Sequence, residues 1–358
     1  MLMPWYNYAC GLDLSDSSIK LLAFKDLSLI KDQAKVAAWV NFNIPLGLIE
    51  DGIVRDTEAL TAQIIKAKNV ARLGPTTKNC VLSLPSTKIF SHLFTLPADL
   101  NHRQIAEILQ YESQDFLTLP QENIYYDFLV LRNNKVQQEV LFVSAPKEIV
   151  DPLKIAVKRA GLNPLVFEIE ALSGERALMK KYLTQEAVML IDMGDRLTSL
   201  TIFDRYGVKV VINLAYGGQN LTLAIAQKLG INEKEARALK QSIGLSLESS
   251  QQVAVILQQE LQIMLEEIKK TLDYFGQRYQ EKISKIILTG GSALLLEITN
   301  YFQQNLHLPV ALANPWLKVD FSDPELTKAA CANVFGLALR GSSFWALRRG
   351  LNLLKYTK

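Results

Sequence analysis

A polar turn between two apolar runs near the N-terminus decides the fold of this chain: residues 11–24 read GLDLSDSSIKLLAF. Residues 190–203 read LIDMGDRLTSLTIF, which repeats the order of an apolar pair, an aspartate, a short polar turn and a second apolar run. Asp13 and Asp192 take equivalent places in the two copies. Each copy is typical of a strand, a tight turn and a second strand. The repeat therefore predicts two similar lobes.

The sequence that follows each copy supports this duplication. After the first copy, residues 36–44 are β-like, Asp56 can cap a helix, and residues 80–84 form a predicted buried strand. After the second copy, a predicted strand at residues 208–213 leads into a helix at residues 221–229. Because hydroxyls and backbone N–H groups at a hairpin turn can hold an anion, two such turns predict a polyphosphate site between the lobes.

A segment of different character separates the two copies. Its pattern, in which Asn101 can cap the first helix, predicts a small β-α-β-β-α unit that could pack alone. We therefore predict that residues 1–85, 165–187 and 330–358 form the first lobe, residues 86–164 an inserted subdomain, and residues 188–329 the second lobe with a helical subdomain at residues 231–282.

A third glycine-rich turn follows a predicted buried strand at residues 286–288. It reads Thr289-Gly290-Gly291-Ser292 and precedes a predicted helix at residues 294–306. Two glycines at such a turn let the backbone approach a ligand closely and direct N–H groups toward it. The alternative is a simple connection, since similar turns join strand to helix in many α/β proteins without any ligand.

Composition excludes several classes of protein. The 39 Lys and Arg residues nearly balance 36 Asp and Glu residues, so the net charge of +3 gives no argument for nucleic acid. Cys10, Cys80 and Cys331 lie far apart without clustered histidines, which predicts a reducing compartment and no structural metal. Because no apolar run is long enough to span a membrane and no leader-like segment is present, we expect a soluble, cytoplasmic protein.

These motifs together resemble the PilM family of type IV pilus assembly proteins, which are actin-like ATPases related to the cell-division protein FtsA. The similarity covers about residues 8–340. Residues 11–20 and 191–200 are similar to the two phosphate loops, and residues 289–295 to the adenosine loop. Residues 111–116 in the insert, 161–172 and 336–340 are similar to stretches particular to PilM.

The resemblance implies an α/β, actin-like fold of ribonuclease H-like duplicated lobes with an FtsA-type inserted subdomain, and ATP and Mg²⁺ in the interlobe cleft. Asp13 and Asp192 would hold the metal ion through water, and Glu168 or Glu170 would orient the attacking water. The residues that would contact the nucleotide are Asp13, Ser15, Ser17, Ser18, Lys20, Asp192, Gly194, Thr198, Gly217, Gly218, Glu235, Lys240, Gly290, Gly291 and Ser292.

Each of these residues also has an ordinary structural role as an alternative. Glu235 and Lys240 could be solvated surface, Ser17 and Ser18 could simply form a turn, and Gly217-Gly218 could begin a helix.

Two features depart from the family pattern in the first phosphate loop. Ser15 stands where the family has glycine, which disfavours a positive φ. Asp16, the next residue, would repel a γ-phosphate unless a cation lies between them. Asp195 in the second phosphate loop would have the same effect, although Arg196 beside it compensates in part. We therefore expect ATP binding with weak or absent ATPase activity, and an adaptor stabilised by nucleotide or lacking it is an alternative.

The resemblance also implies a partner. PilM docks the N-terminal tail of the inner-membrane protein PilN near the inserted subdomain and works with other pilus assembly proteins. This predicts a cytoplasmic adaptor at the inner face of the cytoplasmic membrane. An FtsA-like polymerising division ATPase is the alternative. A small-molecule kinase is disfavoured because no acidic base for a substrate hydroxyl is evident.

The C-terminal tail carries Phe344, Leu347, Leu351 and Leu354 on one predicted helical face. Three hypotheses compete. The helix could close the first lobe, or it could lie weakly on a membrane with Trp345 at the interface. Alternatively, residues 351–354, which resemble the Asn-Leu-Leu core of PilN-type tails, could occupy the chain's own docking groove or that of a neighbour.

Overall fold

The computed structural model describes residues 9–28, 31–50, 52–84, 86, 89–182, 186–315, 318–320, 329–342, 347–348 and 350–355. The chain divides into two compact units. Unit 1 comprises Met1–Lys180, Pro315–Leu326 and Asn333–Lys358, and unit 2 comprises Lys181–Asn314 and Thr327–Ala332. The lobe and subdomain boundaries given above stay predictions.

Strands and helices alternate along much of the chain. The strands are β1 (Cys10–Leu14), β2 (Ser18–Ser28), β3 (Gln33–Asn43), β4 (Ile49–Glu50), β5 (Ile53–Val54), β6 (Asn79–Leu84), β7 (Phe90–Pro97), β8 (Ile124–Asn133), β9 (Gln137–Pro146), β10 (Asn163–Ile169), β11 (Ala187–Met193), β12 (Thr198–Asp204), β13 (Gly207–Leu214), β14 (Ile283–Thr289), β15 (Val310–Leu312) and β16 (Lys318–Asp320). The helices are α1 (Thr57–Val70), α2 (His102–Glu112), α3 (Lys147–Arg159), α4 (Glu170–Tyr182), α5 (Gly218–Leu229), α6 (Glu233–Ile243), α7 (Gln251–Tyr279), α8 (Ile298–Leu306) and α9 (Ala332–Gly341).

The main sheets of the two units have equivalent topology. In unit 1 the strand order is β10-β6-β1-β2-β3-β16, and in unit 2 it is β13-β12-β11-β14-β15. In each sheet, three consecutive strands pair antiparallel and the first of them also pairs with a parallel strand that follows a helical connection. This equivalence confirms the predicted duplication.

The two hairpins that open these sheets match at the level of single bonds. The Ser15 N–H donates to the Ser18 carbonyl at 2.9 Å, and the Gly194 N–H donates to the Leu197 carbonyl at the same distance. Asp13 therefore lies opposite Lys20, just as Asp192 lies opposite Ser199. The register places each aspartate two residues before its turn.

A three-stranded antiparallel sheet in the order β7-β9-β8 forms the core of the inserted segment. Helix α2 covers it, and Ile105 and Leu109 on α2 are buried in one cluster with Phe128 and Phe142. Asn101 caps this helix, as predicted, because its side chain accepts from two backbone N–H groups of the first turn. The segment thus has apolar packing of its own.

Helix α7 is the longest element of unit 2, with 29 residues. One face of this helix is apolar, since Leu257, Leu261 and Leu265, each four residues apart, are fully buried in the core of unit 2. No helix in the described part of the chain combines the length and apolarity needed to cross a membrane. The predicted helix at residues 294–306 is wrong in its first turn, because the left-handed φ of 63° at Glu297 delays α8.

The predicted amphipathic helix of the C-terminal tail is also wrong in its second half. Gly350 has a φ of 93°, and the chain from Leu351 to Lys355 is not helical. Leu351 and Leu353 are both fully buried, so this segment packs with alternate residues inward. Phe344 and Trp345, which the membrane hypothesis needs, lie outside the described residues.

A buried ion cluster ties β10 to two helices of unit 1. Arg176 on α4 donates to both carboxylate oxygens of Glu168, at 2.8 and 3.0 Å, and Arg340 on α9 donates to one of them. Glu168 and Arg340 are almost completely buried. Burial alone would raise the pKa of Glu168, but the charges of Arg176 and Arg340 outweigh it and hold this pKa below its usual value.

We expect the substitution Glu168→Gln to destabilise unit 1 strongly. Removing one partner of a buried ion pair leaves uncompensated charge and typically costs about 3–5 kcal/mol. The midpoint of urea unfolding should therefore fall, whereas Glu107→Gln, which breaks an exposed pair with Arg103, should change it little. Equal midpoints for the two variants would contradict this role of Glu168.

Candidate functional site

The first hairpin turn, in unit 1, is closed by its own serine side chains. The Ser15 hydroxyl lies 3.1 Å from the Ser18 carbonyl, and it accepts the Ser18 N–H at 3.1 Å. The Ser17 side chain takes no part in these hydrogen bonds, but its backbone carbonyl accepts the Ile44 N–H. Ser15 is not among the described residues with positive φ, so the turn forms without the glycine that the family pattern has.

Asp13, two residues before this turn, is buried and held from two sides. Its Oδ2 accepts from the Lys20 ammonium at 3.1 Å, and its Oδ1 accepts from the Asn333 side-chain amide at 2.9 Å. The same Asn333 amide lies 2.8 Å from the Ser83 hydroxyl. The carboxylate is therefore fixed in place and neutralised by Lys20 within unit 1.

Both glutamates considered for water orientation already have polar partners. Both carboxylate oxygens of Glu168 are bound by arginines, and the residue is fully buried. Glu170 accepts from the Ser86 hydroxyl at 2.6 Å. The contacts give Glu168 an ion-pairing role, and its part in orienting water stays a prediction without a contact that supports it.

In unit 2 the second hairpin turn contacts the start of α5. The Gly218 N–H donates to the Gly194 carbonyl at 2.9 Å, and the Gln219 N–H donates to the Asp195 carbonyl at 2.7 Å. Thr198 is fully buried and donates its hydroxyl to the Tyr216 carbonyl. The first N–H groups of α5 are thus already bonded to the hairpin.

Lys240 on α6 is the charged group at the centre of this arrangement. Its ammonium donates to the Gly218 carbonyl at 2.5 Å, and only 5% of the residue is exposed. Burial and the neighbouring charge of Arg237 lower its pKa to about 8, against the opposing effect of Asp195. Glu235, predicted to act beside it, is exposed on the first turn of α6.

Close backbone approaches bring the third turn, Thr289–Ser292, into the same cluster. A Cβ on Gly218 would lie 2.3 Å from the Ser292 hydroxyl and 3.2 Å from the Lys240 nitrogen. Gly290 has a φ of 88°, and a Cβ there would lie 2.5 Å from Asp192 Oδ1. Glycine is therefore required at Gly290, whereas a side chain at Gly218 would force the Ser292 hydroxyl to move.

The predicted metal ligands belong to different units, Asp13 to unit 1 and Asp192 to unit 2. Within the described ranges, no three His, Cys, Asp or Glu side chains form a group that could hold a metal ion directly. Each oxygen of Asp13 keeps a second lone pair beside its present bond, so the carboxylate can still accept from metal-bound water. A carboxylate is an oxygen ligand of the kind that magnesium prefers, directly or through water.

Three residues of these clusters were not predicted from the sequence. Asn333 lies 320 positions from Asp13 and shows no local signal. Asn220 accepts the Gly217 N–H at 2.9 Å and so holds the start of α5. Arg237 lies 3.6 Å from Asp195 and pairs with it. Its position three residues before Lys240, on the same face of α6, was the signal that could have revealed it.

Comparisons with known proteins identify relatives of the whole chain. A family model described as type IV pilus assembly protein PilM matches residues 11–342. The cell division protein FtsA of Streptococcus pneumoniae serotype 2 (strain D39 / NCTC 7466) is 22% identical over 353 residues, covering 86% of this chain and 76% of that protein.

Solved structures confirm the predicted actin-like fold. A PilM-PilN type IV pilus biogenesis complex is similar with a TM-score of 0.83 and 23% identity, covering 95% of this chain and 100% of that one. MreB 5 of Spiroplasma citri bound to AMPPNP is similar with a TM-score of 0.50 and 13% identity, covering 93% of this chain and 94% of that one.

Two adjacent glycines test whether the third turn requires its conformation. Gly290→Ala should destabilise unit 2 by about 1–3 kcal/mol, because a side chain at positive φ is strained and its Cβ would meet Asp192. Gly291→Ala should stay within about 0.5 kcal/mol, since no atom lies within 4 Å of its Cβ position. Urea unfolding of both variants would measure the difference, and similar losses would refute the close approach at Gly290.

Proposed function

Because this chain belongs to the PilM family of type IV pilus assembly proteins, we propose that it is an ATP-binding adaptor of the pilus assembly machinery. In this role it would dock the N-terminal tail of a PilN-type inner-membrane protein, in keeping with its similarity to a PilM-PilN complex. The observation that carries the nucleotide part is the Lys240 cluster in unit 2. Its cationic group and glycine-lined backbone have the chemistry that a polyphosphate or a nucleoside needs.

A buried ammonium supports the assignment of an anionic ligand. Burial disfavours the charged form of Lys240, so its pKa falls to about 8. A phosphate beside Lys240 would supply the missing opposite charge and restore the ordinary pKa. The backbone at Gly291, where no atom lies within 4 Å of a Cβ position, would leave room for the nucleotide to come close. MreB 5, a distant relative in fold, is itself bound to AMPPNP.

Magnesium would enter with the nucleotide and be held through water by Asp13 and Asp192. Its chemistry would be to neutralise phosphate charge, which matters here because Asp16 and Asp195 lie in the two hairpin turns. The pairing of Asp195 with Arg237 reduces the repulsion in unit 2. Because both carboxylate oxygens of Glu168 are bound by arginines, we propose that ATP is bound and turned over slowly or not at all.

The location of this chain at the membrane would depend on its partner. We propose that a PilN-type protein holds the chain at the inner face of the cytoplasmic membrane, with other pilus assembly proteins. An FtsA-like division ATPase that binds membrane through its tail is less well supported, since the tail residues Leu351 and Leu353 are buried in unit 1.

The nucleotide proposal predicts a particular pH dependence. Calorimetry with ATP and MgCl₂ should give binding that weakens as pH rises from 7.5 to 9, because the Lys240 ammonium loses its proton near pH 8. Lys240→Ala should weaken binding about tenfold, or about 1.4 kcal/mol, and flatten this profile. The matched control Lys234→Ala alters an exposed lysine on the same helix and should change neither. If ATP gives no heat of binding at every pH value from 7.5 to 9, the proposed site is wrong.

The adaptor proposal predicts peptide binding. A synthetic PilN-type tail with an Asn-Leu-Leu core should bind the chain in a fluorescence anisotropy titration, and the same peptide with alanine for asparagine should bind at least tenfold more weakly. The chain should be tested with and without residues 350–358. If the peptide binds neither form, the PilN-docking role is wrong.

A further inference from the structure

The residues from Gly350 to Lys355, here called the tail segment, lie along the outer edge of β10 in unit 1. β10 is the edge strand of its sheet in the described part of the chain, so one side of its backbone is open to a further strand. The Leu353 N–H donates to the Phe167 carbonyl on this side at 3.0 Å. The tail segment thus uses a backbone bond of the kind that an added peptide strand makes.

Asn352 makes the contacts that specify a sequence. Its side-chain amide accepts the Phe167 N–H at 3.2 Å and donates to the Leu165 carbonyl at 3.0 Å. The carboxamide therefore replaces a peptide group of a neighbouring strand. Its Oδ1 also accepts the Leu354 N–H at 3.1 Å, which turns the segment just after Leu353. Only asparagine has this donor and acceptor at this length.

Asp127 on β8 contacts the tail segment as well, so the tail segment occupies a groove formed by the edge of β10 and Asp127. Its Oδ2 accepts the Asn352 backbone N–H at 2.6 Å and the Lys355 ammonium at 3.2 Å. Asp127 is completely buried, and Leu351 and Leu353 are fully buried on either side of Asn352. The groove therefore recognises a leucine, an asparagine, a second leucine and a following basic residue.

We infer that this groove is a peptide-recognition site whose resident ligand, the tail segment, can be exchanged for a peptide of the same Leu-Asn-Leu chemistry supplied in trans. The two occupants exclude each other, so the tail segment acts as an intramolecular inhibitor of docking. Identifying the competitor with a PilN-type tail rests on the proposed function. The exchange of the tail segment for a free peptide of the same sequence does not rest on the proposed function.

One unfilled contact favours exchange over permanent closure. Among the described residues, Asp127 Oδ1 is buried without a hydrogen-bond partner. Burial raises the pKa of this carboxyl even against the N–H of Asn352 and the charge of Lys355. The tail segment therefore satisfies Asp127 only in part. A peptide that donates one more hydrogen bond there would gain affinity over the tail segment.

The test uses a fluorescein-labelled peptide with the sequence of residues 350–358, GLNLLKYTK, and three chains. These are the full chain, the full chain with Asn352→Ala, and the chain ending at residue 349. Because a tethered ligand acts at millimolar effective concentration, the full chain should bind the peptide at least tenfold more weakly than the other two. A peptide with Asn352→Ala should bind none of them. Equal affinity of all three chains for the labelled peptide would overturn the inference.

Two further readouts remain useful if a variant fails to fold. Adding the peptide to the Asn352→Ala chain should raise its thermal midpoint, since a ligand stabilises the state it binds. In the wild-type chain, the Leu353 N–H should exchange with solvent faster than the amides of β1, because the tail segment opens without unfolding the sheet. Equal exchange rates would overturn the inference. They would leave the test with the PilN-type peptide unaffected, so the two failures are distinguishable.

Discussion

The carboxylate of Glu168 organises unit 1, because three separate parts of the chain depend on its charge. It lies on β10 and binds Arg176 of α4 and Arg340 of α9 in a nearly water-free environment. A buried carboxylate is tolerated only with such partners, so the two helices must meet at this strand. Helix α9 in turn carries Asn333, which holds Asp13 beside the first hairpin turn.

The same cluster also prepares the outer edge of β10 for a peptide. With Glu168 held by its arginines, the strand presents the backbone of Leu165 and Phe167 in a fixed position. Arg340 lies close to Gly350, since a Cβ there would be 3.6 Å from the Arg340 Nη2. Structural charge and peptide recognition therefore occupy the two sides of one strand. An actin-like lobe can in this way keep its fold and carry the proposed docking surface.

Local features of the sequence predicted the fold well. The two hairpins could be found because a turn with its flanking strands is contained in about fourteen residues. The caps at Asp56 and Asn101 were equally visible, as each bonds the turn that follows it. In unit 2, several of the predicted residues meet, including Gly194, Gly218, Lys240 and Ser292. The family resemblance, rather than periodicity, had brought them together.

Contacts between distant parts of the sequence could not be predicted in this way. The pairs of Asp13 with Asn333 and of Glu168 with Arg340 join residues 320 and 172 positions apart. The helix predicted for the C-terminal tail was wrong for a different reason. Leu347, Leu351 and Leu354 fit a helical period, but Leu351 and Leu353 fit the two-residue period of a strand equally well. The open edge of β10, which the sequence does not reveal, decided between them.

That edge has a cost of its own for the solubility of the protein. When the tail segment leaves, the exposed backbone of β10 can pair with any free strand, including that of another copy, and aggregation becomes possible.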